Sequence, residues 1–210
     1  MTIAPCNAGV VGLIEGVGGN VASVRGALRR LGVDPVSVRD PADLRACERA
    51  VFPGVGAFPA VMRGIRDLGF DDAIRDYASS GRWFLGICVG MQVLAEQGEE
   101  HEPCDGLGLV PGRVTKLTRD RHVRLPHMGW AESAPTGPSA LFDVGDVPVM
   151  YFVHSYRFEP AEKEHTTAQT DHGGRFASAV QRDNVLGVQF HPEKSQRAGL
   201  ALLKKFLEAA

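Results

Sequence analysis

Over the first half of this 210-residue chain, short apolar runs alternate with stretches of helical period. Residues 10–14 form a β-branched run that reads as a buried strand. The run closes on Glu15-Gly16-Val17-Gly18-Gly19-Asn20, and from Val21 the period changes. Val21, Val24, Leu28 and Leu31 fall on one helical face, Arg25, Arg29 and Arg30 lie outside it, and Gly32 suits the C-terminal cap. Residues 36–38 read as a second strand and 50–52 as a third. Helices follow over about 59–68 and 71–80, the second ended by Gly81. Residues 83–85 make a fourth strand, and 91–95 the start of a helix. Strands and helices in alternation predict a parallel sheet.

The second half differs in texture. Strand-like pieces at 112–117, 149–153, 166–170, 176–181 and 185–190 predict a β-rich segment, separated by loops rich in Pro, Gly and Ser such as 133–139. An amphipathic helix over about 197–207, with Leu200, Leu203 and Leu207 inward, closes the chain. No internal repeat, low-complexity tract or long linker divides it, so residues 1–210 are expected to form a single α/β domain.

Composition narrows the function. The chain is 44% apolar and 23% charged with a net charge of -2, which gives no electrostatic case for nucleic acid or an anionic membrane as partner. Cys6, Cys47, Cys88 and Cys104 are widely spaced without a Cys-x-x-Cys pair, so neither a zinc site nor a disulfide framework is expected. The N-terminus lacks a basic segment followed by an apolar core, and no run reaches membrane-spanning length; a cytoplasmic protein is the expectation.

Three stretches carry chemistry. Gly86-Ile87-Cys88-Val89-Gly90 stands between a strand and a helix and is the cysteine form of the nucleophile elbow. Its glycines suit a strained turn packed against neighbouring strands, and a helix N-terminus behind Cys88 would favour thiolate. Pro53-Gly54-Val55-Gly56-Ala57-Phe58 follows the third strand, where two glycines free backbone amides to turn toward a ligand as an oxyanion hole requires. Of seven histidines, His191 stands out because it follows an apolar strand and precedes Pro192-Glu193. Proline biases His191 toward extended backbone, which would set His191 and Glu193 on the same side as base and orienting acid. The Gly16-x-Gly18-Gly19 turn, with Asp40 at the end of the second strand, suggests a dinucleotide site, but it lacks the third glycine of that fingerprint.

Taken together, these motifs resemble the class I, triad-type glutamine amidotransferases, which join Gly-x-Cys-x-Gly to a late His-x-Glu. More narrowly, the chain resembles the glutaminase subunits of imidazole glycerol phosphate synthase. Pro126-His127-Met128-Gly129-Trp130, Tyr151-Phe152-Val153-His154-Ser155-Tyr156 and Gln189-Phe190-His191-Pro192-Glu193-Lys194-Ser195 carry that likeness, which covers essentially the whole chain. The resemblance implies an open, mixed but mostly parallel, flavodoxin-like sheet flanked by helices, and no cofactor or metal. It implies that Cys88 attacks the side-chain amide of L-glutamine and that the oxyanion is held by the Val89 amide and one from Gly54, Val55 and Gly56. His191 would serve as base and Glu193 as its orienting acid, with Gln92, Ser155 and Tyr156 holding glutamine.

The resemblance further implies a partner, a (β/α)8-barrel cyclase subunit that receives ammonia through a shielded channel and forms imidazole glycerol phosphate in histidine biosynthesis. Trp130, Tyr151 and Lys194 would lie at that interface. His127 and His154 are expected to be structural, and Met91 to be helix packing. Two departures from the family pattern stand out, Ala131 in place of the usual asparagine after Gly-Trp and Glu15-Gly16 in place of Asp-Tyr-Gly, while Val89 in place of leucine is a mild change at a position that contributes a backbone amide. Both Ala131 and Glu15-Gly16 would sit near the glutamine or partner face. A triad amidotransferase serving another synthase is the alternative that Ala131 keeps open. A Cys-elbow hydrolase or an inactive subunit fits the motifs less well.

Overall fold

A computed structural model of the protein describes residues 8–118 and 123–210; Cys6 and His122 lie outside the described residues. The first half follows the expected alternation: β1 (Val11–Ile14), α1 (Val21–Arg30), β2 (Val36–Val38), β3 (Arg49–Gly54), α2 (Phe58–Asp67), α3 (Phe70–Ser79) and β4 (Trp83–Cys88). A single helical turn, α4 (Val89–Gln92), follows the nucleophile. The expected helix over 91–95 is therefore a correction: the strand continues through Cys88 and the turn starts at once, because Gly86 and Gly90 let the two segments close directly on each other.

The second half holds β5 (Gln97–Gly98), β6 (Cys104–Asp105), β7 (Gly112–Lys116), β8 (His127–Glu132), β9 (Ala134–Pro135), β10 (Val149–His154), β11 (Tyr156–Pro160), β12 (Thr166–Asp171), β13 (Arg175–Arg182), β14 (Val185–Val188) and α5 (Gln196–Glu208). Among the described residues the main sheet runs β2-β1-β3-β4-β14-β13-β12-β9. Its β2 to β14 neighbours pair in parallel and its β13, β12 and β9 neighbours antiparallel, the mixed sheet expected. Fully buried Leu13, Ile14, Phe52, Phe84, Leu85 and Leu186 fill the parallel strands, which explains why these strands read as unbroken apolar runs. Smaller sheets, β11-β7-β5-β6 and β10-β8, carry the rest.

Two helix details differ from the sequence reading. In α5 the core face is Leu202, Leu203, Phe206 and Leu207, while Leu200 is only partly buried, so the face is turned from the one expected. In α1, Arg25 is drawn inward to pair with Glu15, while Arg29 and Arg30 stay outside as expected. Gly32 takes φ 82° just past the helix end, as its capping role requires.

Strand order positions the site. β4 is flanked by β3 and β14, with Gly54 in register with Cys88 and Val188 with Ile87. The carboxyl ends of three parallel strands thus bring the glycine turn, the cysteine and the histidine segment to one edge, where ligands bind in open α/β sheets.

Candidate active site

Cys88 holds φ 57° and ψ -113°, a backbone conformation that a residue with a β-carbon rarely adopts. Close packing sets this bend. A β-carbon on Gly86 would meet the Gly90 carbonyl oxygen at 2.3 Å, one on Gly90 would meet the Phe52 oxygen at 2.1 Å, and one on Gly54 would meet the Gly90 nitrogen at 2.3 Å. The elbow glycines are therefore required by approach of backbone to backbone, across β4 to α4 and across to β3. Because α4 is one turn long, its dipole is too short to supply much of the charge support expected behind the sulfur.

That support comes from the other side. His191 Nδ1 lies 2.8 Å from Glu193 Oε1, and the two side chains are 3% and 0% exposed, so the pair is shielded from water. His191 is extended before Pro192 as expected (φ -102°, ψ 95°), but the extension does not continue to Glu193. Pro192–Lys194 form one 3-10 turn instead, and that turn folds the Glu193 carboxylate back to the ring. Burial opposes the imidazolium, yet the neighbouring Cys88 sulfur and the Glu193 carboxylate outweigh it and push the His191 pKa up to about 9. Nε2 of His191 is buried and meets no partner at full hydrogen-bond geometry, while the neighbouring Cys88 sulfur favours its protonated form through weak hydrogen bonding and charge.

The backbone locks this turn. His191 N–H donates to the Tyr151 carbonyl at 2.8 Å, Ser195 Oγ donates to the His191 carbonyl at 2.7 Å, and Tyr151 N–H donates to Ser195 Oγ at 2.9 Å. β10 and the histidine segment are in this way stitched at Tyr151.

A cavity of about 340 Å³ opens over the cysteine, lined by Val55, Gly56, Cys88, Val89, Gln92, Glu100, Pro126, Val153, His154, Ser155, Tyr156, His191 and Lys194. Of the residues named from sequence, Val55, Gly56, Val89, Gln92, Ser155, Tyr156 and Lys194 line it with Cys88 and His191. Gly54 stands beneath them, in register with Cys88, and Glu193 behind His191. Gln92 is 2% exposed; its nitrogen donates to the Tyr156 carbonyl and to Gln189 Oε1, both at 3.0 Å, leaving Oε1 an unpartnered buried acceptor.

Trp130 and Tyr151 lie outside the cavity. They pair across β8 and β10, their rings 5.7 Å apart, and the Lys194 ammonium sits 5.9 Å from the Tyr151 ring. His127 and His154 are structural as expected: His127 Nδ1 and His154 Nε2 are 3.1 Å apart, and His127 stacks on Phe152 and His172. Burial lowers the pKa of His127 to about 4 and that of His154 to about 3. Met91 is fully buried packing.

Several residues that serve the site were not singled out by the sequence reading. Glu100 places a carboxylate in the cavity, with Oε2 accepting from the Phe58 N–H at 2.7 Å. Asn20 donates to Glu193 Oε1 at 3.4 Å. The Gly-rich turn that leads to Asn20 is packing, not a nucleotide cradle, since a β-carbon on Gly19 would meet the Pro53 oxygen at 2.2 Å. Asp40 instead caps a short 3-10 helix by accepting from the Ala42 N–H at 2.9 Å. Glu15 is held by Ser37, Arg25 and Arg39, a structural cluster. Ala131 packs against the core from the β8 face opposite Trp130, and neither it nor Glu15-Gly16 lines the cavity, whereas Val89 directly follows Cys88 and does line it. The signal for Asn20 was its place at the end of a glycine turn; Glu100 had none.

No group of three or more Cys, His, Asp or Glu among the described residues is arranged to hold a metal ion.

Comparison with known proteins agrees with this geometry. The family described as glutamine amidotransferase class-I matches residues 19–210. The imidazole glycerol phosphate synthase subunit HisH of Desulfitobacterium hafniense is 44% identical over 198 residues, covering 94% of this chain and 93% of that one. The chloroplastic imidazole glycerol phosphate synthase hisHF of Arabidopsis thaliana is 42% identical over 201 residues, covering 94% of this chain but 34% of its own length. A crystal structure of a glutamine amidotransferase superposes with a TM-score of 0.75 at 23% identity, covering 95% of this chain and 98% of that chain. PurLQS from Thermotoga maritima gives the same TM-score at 18% identity, covering 95% of this chain and 98% of that one, a likeness of fold alone. The chain belongs to the class-I glutamine amidotransferase family, in the group of imidazole glycerol phosphate synthase HisH subunits.

Proposed function

We propose that this chain hydrolyses L-glutamine with Cys88, His191 and Glu193 and delivers the ammonia to the cyclase of an imidazole glycerol phosphate synthase. Family membership makes it a glutamine amidotransferase of histidine biosynthesis; the residue roles are our assignment. The observation that carries them is the shielded His191–Glu193 pair, 2.8 Å apart, with His191 lining the same cavity as Cys88.

The chemistry follows from charge. The Cys88 thiolate attacks the amide carbon of the glutamine side chain, and N–H groups of Val89 and the Gly54–Gly56 turn hold the oxyanion. His191 gives its Nε2 proton to the departing amine as the C–N bond breaks, leaving a γ-glutamyl thioester and ammonia. It then takes a proton from water, which attacks the thioester and releases glutamate with the thiolate restored. Glu193 keeps Nδ1 protonated throughout. In the cavity the unpartnered Gln92 Oε1 suits an N–H of the substrate, the Glu100 carboxylate suits its α-ammonium, and the 155–156 backbone forms the facing wall.

An exposed apolar face supports the partner. Met128 (67% exposed), Trp130 (49%) and Val149 (45%) stand with Tyr151 and Val153 on one side of the β8–β10 pair, edged by Glu132 opposite Val149, and Val153 reaches the cavity. Such a patch fits a protein interface, here a cyclase barrel sealed over the ammonia exit. The Arabidopsis relative, whose name joins HisH and HisF in one chain, fits the same pairing.

The test mixes the purified chain with a cyclase subunit and its ribotide substrate and measures glutamate release. The expected result is release that His191→Ala abolishes while added ammonium salt still drives the cyclase. Release without need of His191, or none with partner present, contradicts the proposal.

A further inference from the structure

A polar group that the triad leaves out touches the nucleophile. Gln189 is fully buried just past β14, and its Nε2 lies 3.8 Å from Cys88 Sγ. The orientation of that amide can be worked out from a group that cannot flip. The Tyr156 carbonyl oxygen only accepts, and it faces Gln92 Nε2 at 3.0 Å and His154 Nδ1 at 2.8 Å. The Gln92 atom turned toward Tyr156 is therefore its nitrogen. That same nitrogen lies 3.0 Å from the Gln189 amide, so the Gln189 atom facing it is the oxygen. The Gln189 NH2 is then left pointing at the sulfur. His154 obeys the same logic: with Nδ1–H on Tyr156, its Nε2 is bare and accepts from His127 Nδ1–H at 3.1 Å. Donors and acceptors run without conflict from the buried histidines through Tyr156, Gln92 and Gln189 to Cys88.

We propose that Gln189 is a positioning residue of the glutaminase, its amide N–H holding the Cys88 sulfur in its attacking orientation and favouring its charged form. This deepens the reading of Cys88 as the nucleophile and rests on it. A sulfur on a bend at φ 57° has no helix of useful length behind it, and His191 serves it from one side only. The Gln189 donor is fully buried and is not among the residues that line the cavity, so it serves the sulfur from within the protein. Because Gln189 is braced by Gln92, and Gln92 by the 155–156 wall, the nucleophile is placed relative to the surface that grips glutamine. Hydrogen bonds to charged acceptors are the strong ones, and sulfur is a soft acceptor, which sets the expected effect at about tenfold.

The test is the rate at which iodoacetamide alkylates Cys88 in the full chain at pH 7, read from the mass of the Cys88 peptide. Gln189→Leu removes the donor and is expected to slow alkylation of Cys88 about tenfold while leaving the half-exposed Cys104 unchanged. Gln189→Glu keeps the shape, replaces the donor by a like charge and is expected to slow Cys88 further; it carries the test if the leucine variant does not fold. Wild-type rates at Cys88 in both variants, or equal slowing at Cys88 and Cys104, overturn the role. Glutamate release by the wild-type complex is a separate arm. Its absence counts against the glutaminase reading, whereas slowed alkylation in the variants still supports the contact.

Discussion

The strained bend at Cys88 has a thermodynamic consequence that a pair of substitutions isolates. At φ 57° and ψ -113° the residue lies well outside the left-handed helical well, so the upper end of the usual strain cost applies, about 3 kcal/mol for any side chain with a β-carbon. Cys88→Ala and Cys88→Gly both delete the sulfur, and their difference leaves the strain. Only the glycine relieves it. Opposing that relief are the extra freedom of glycine in the unfolded chain, about 0.5–1 kcal/mol, and the lost burial of one methyl group, about 0.8 kcal/mol. The balance favours Cys88→Gly over Cys88→Ala by about 1–2 kcal/mol. Urea unfolding of the isolated subunit measures it: with a slope of about 2–3 kcal/mol/M, the glycine variant has a midpoint higher by about half a molar unit. Both variants lose glutamine hydrolysis. A midpoint for Cys88→Gly at or below that of Cys88→Ala refutes the claim that the elbow stores strain for function.

Other expectations follow from the same geometry. Gly90→Ala drives a β-carbon to 2.1 Å from the Phe52 oxygen, where backbone must move; a loss of about 1–3 kcal/mol in unfolding experiments and of glutaminase activity is expected. The buried histidines make the fold acid-sensitive. Their pKa values are lowered to about 4 for His127 and about 3 for His154, so the stability they contribute is complete above about pH 6.5 and falls with pH toward those values. The loss is at most about 1.4 kcal/mol per pH unit for each, and less for the less enclosed His127. His191 acts in the opposite sense: its raised pKa adds stability below about pH 6.5 that is lost as pH rises through about 9. Unfolding curves across pH should therefore show greatest stability near neutrality, and a His154→Gln variant should show a shallower acid limb. Trp130→Ala removes an exposed ring from the β8–β10 face; it is expected to weaken cyclase binding by about 2 kcal/mol in calorimetry with little effect on folding.

Much of this was legible in the sequence, for identifiable reasons. The parallel strands are buried on both faces and so appear as continuous apolar runs, and the helices between them keep their period. β8 escaped notice because His127-Met128-Gly129-Trp130-Ala131-Glu132 holds a glycine, and its outward residues Met128, Trp130 and Glu132 mix apolar with charged, so no period-2 pattern shows. The two-residue strands β5, β6 and β9 are too short to show any period. The convergence of His191 and Glu193 was foreseen but its cause was not, since a 3-10 turn after Pro192 does what an extended segment was expected to do. Asn20, Gln189 and Glu100 are polar residues whose partners lie far along the chain, Asn20 being 173 positions from Glu193 and Gln189 101 from Cys88. No local pattern records such contacts; the pairing of β14 beside β4, for one, is what sets Gln189 against Cys88.

The central claim is that glutamine passes through a covalent thioester on Cys88 that His191 resolves. Acid quenching of the chain during turnover with cyclase, ribotide substrate and glutamine, followed by mass analysis, reads this directly. The account predicts a γ-glutamyl group on the Cys88 peptide, present in the wild type and absent in Cys88→Ala. Glutamate released by the Cys88→Ala complex at the wild-type rate, or an acyl group carried elsewhere on the chain, would contradict it.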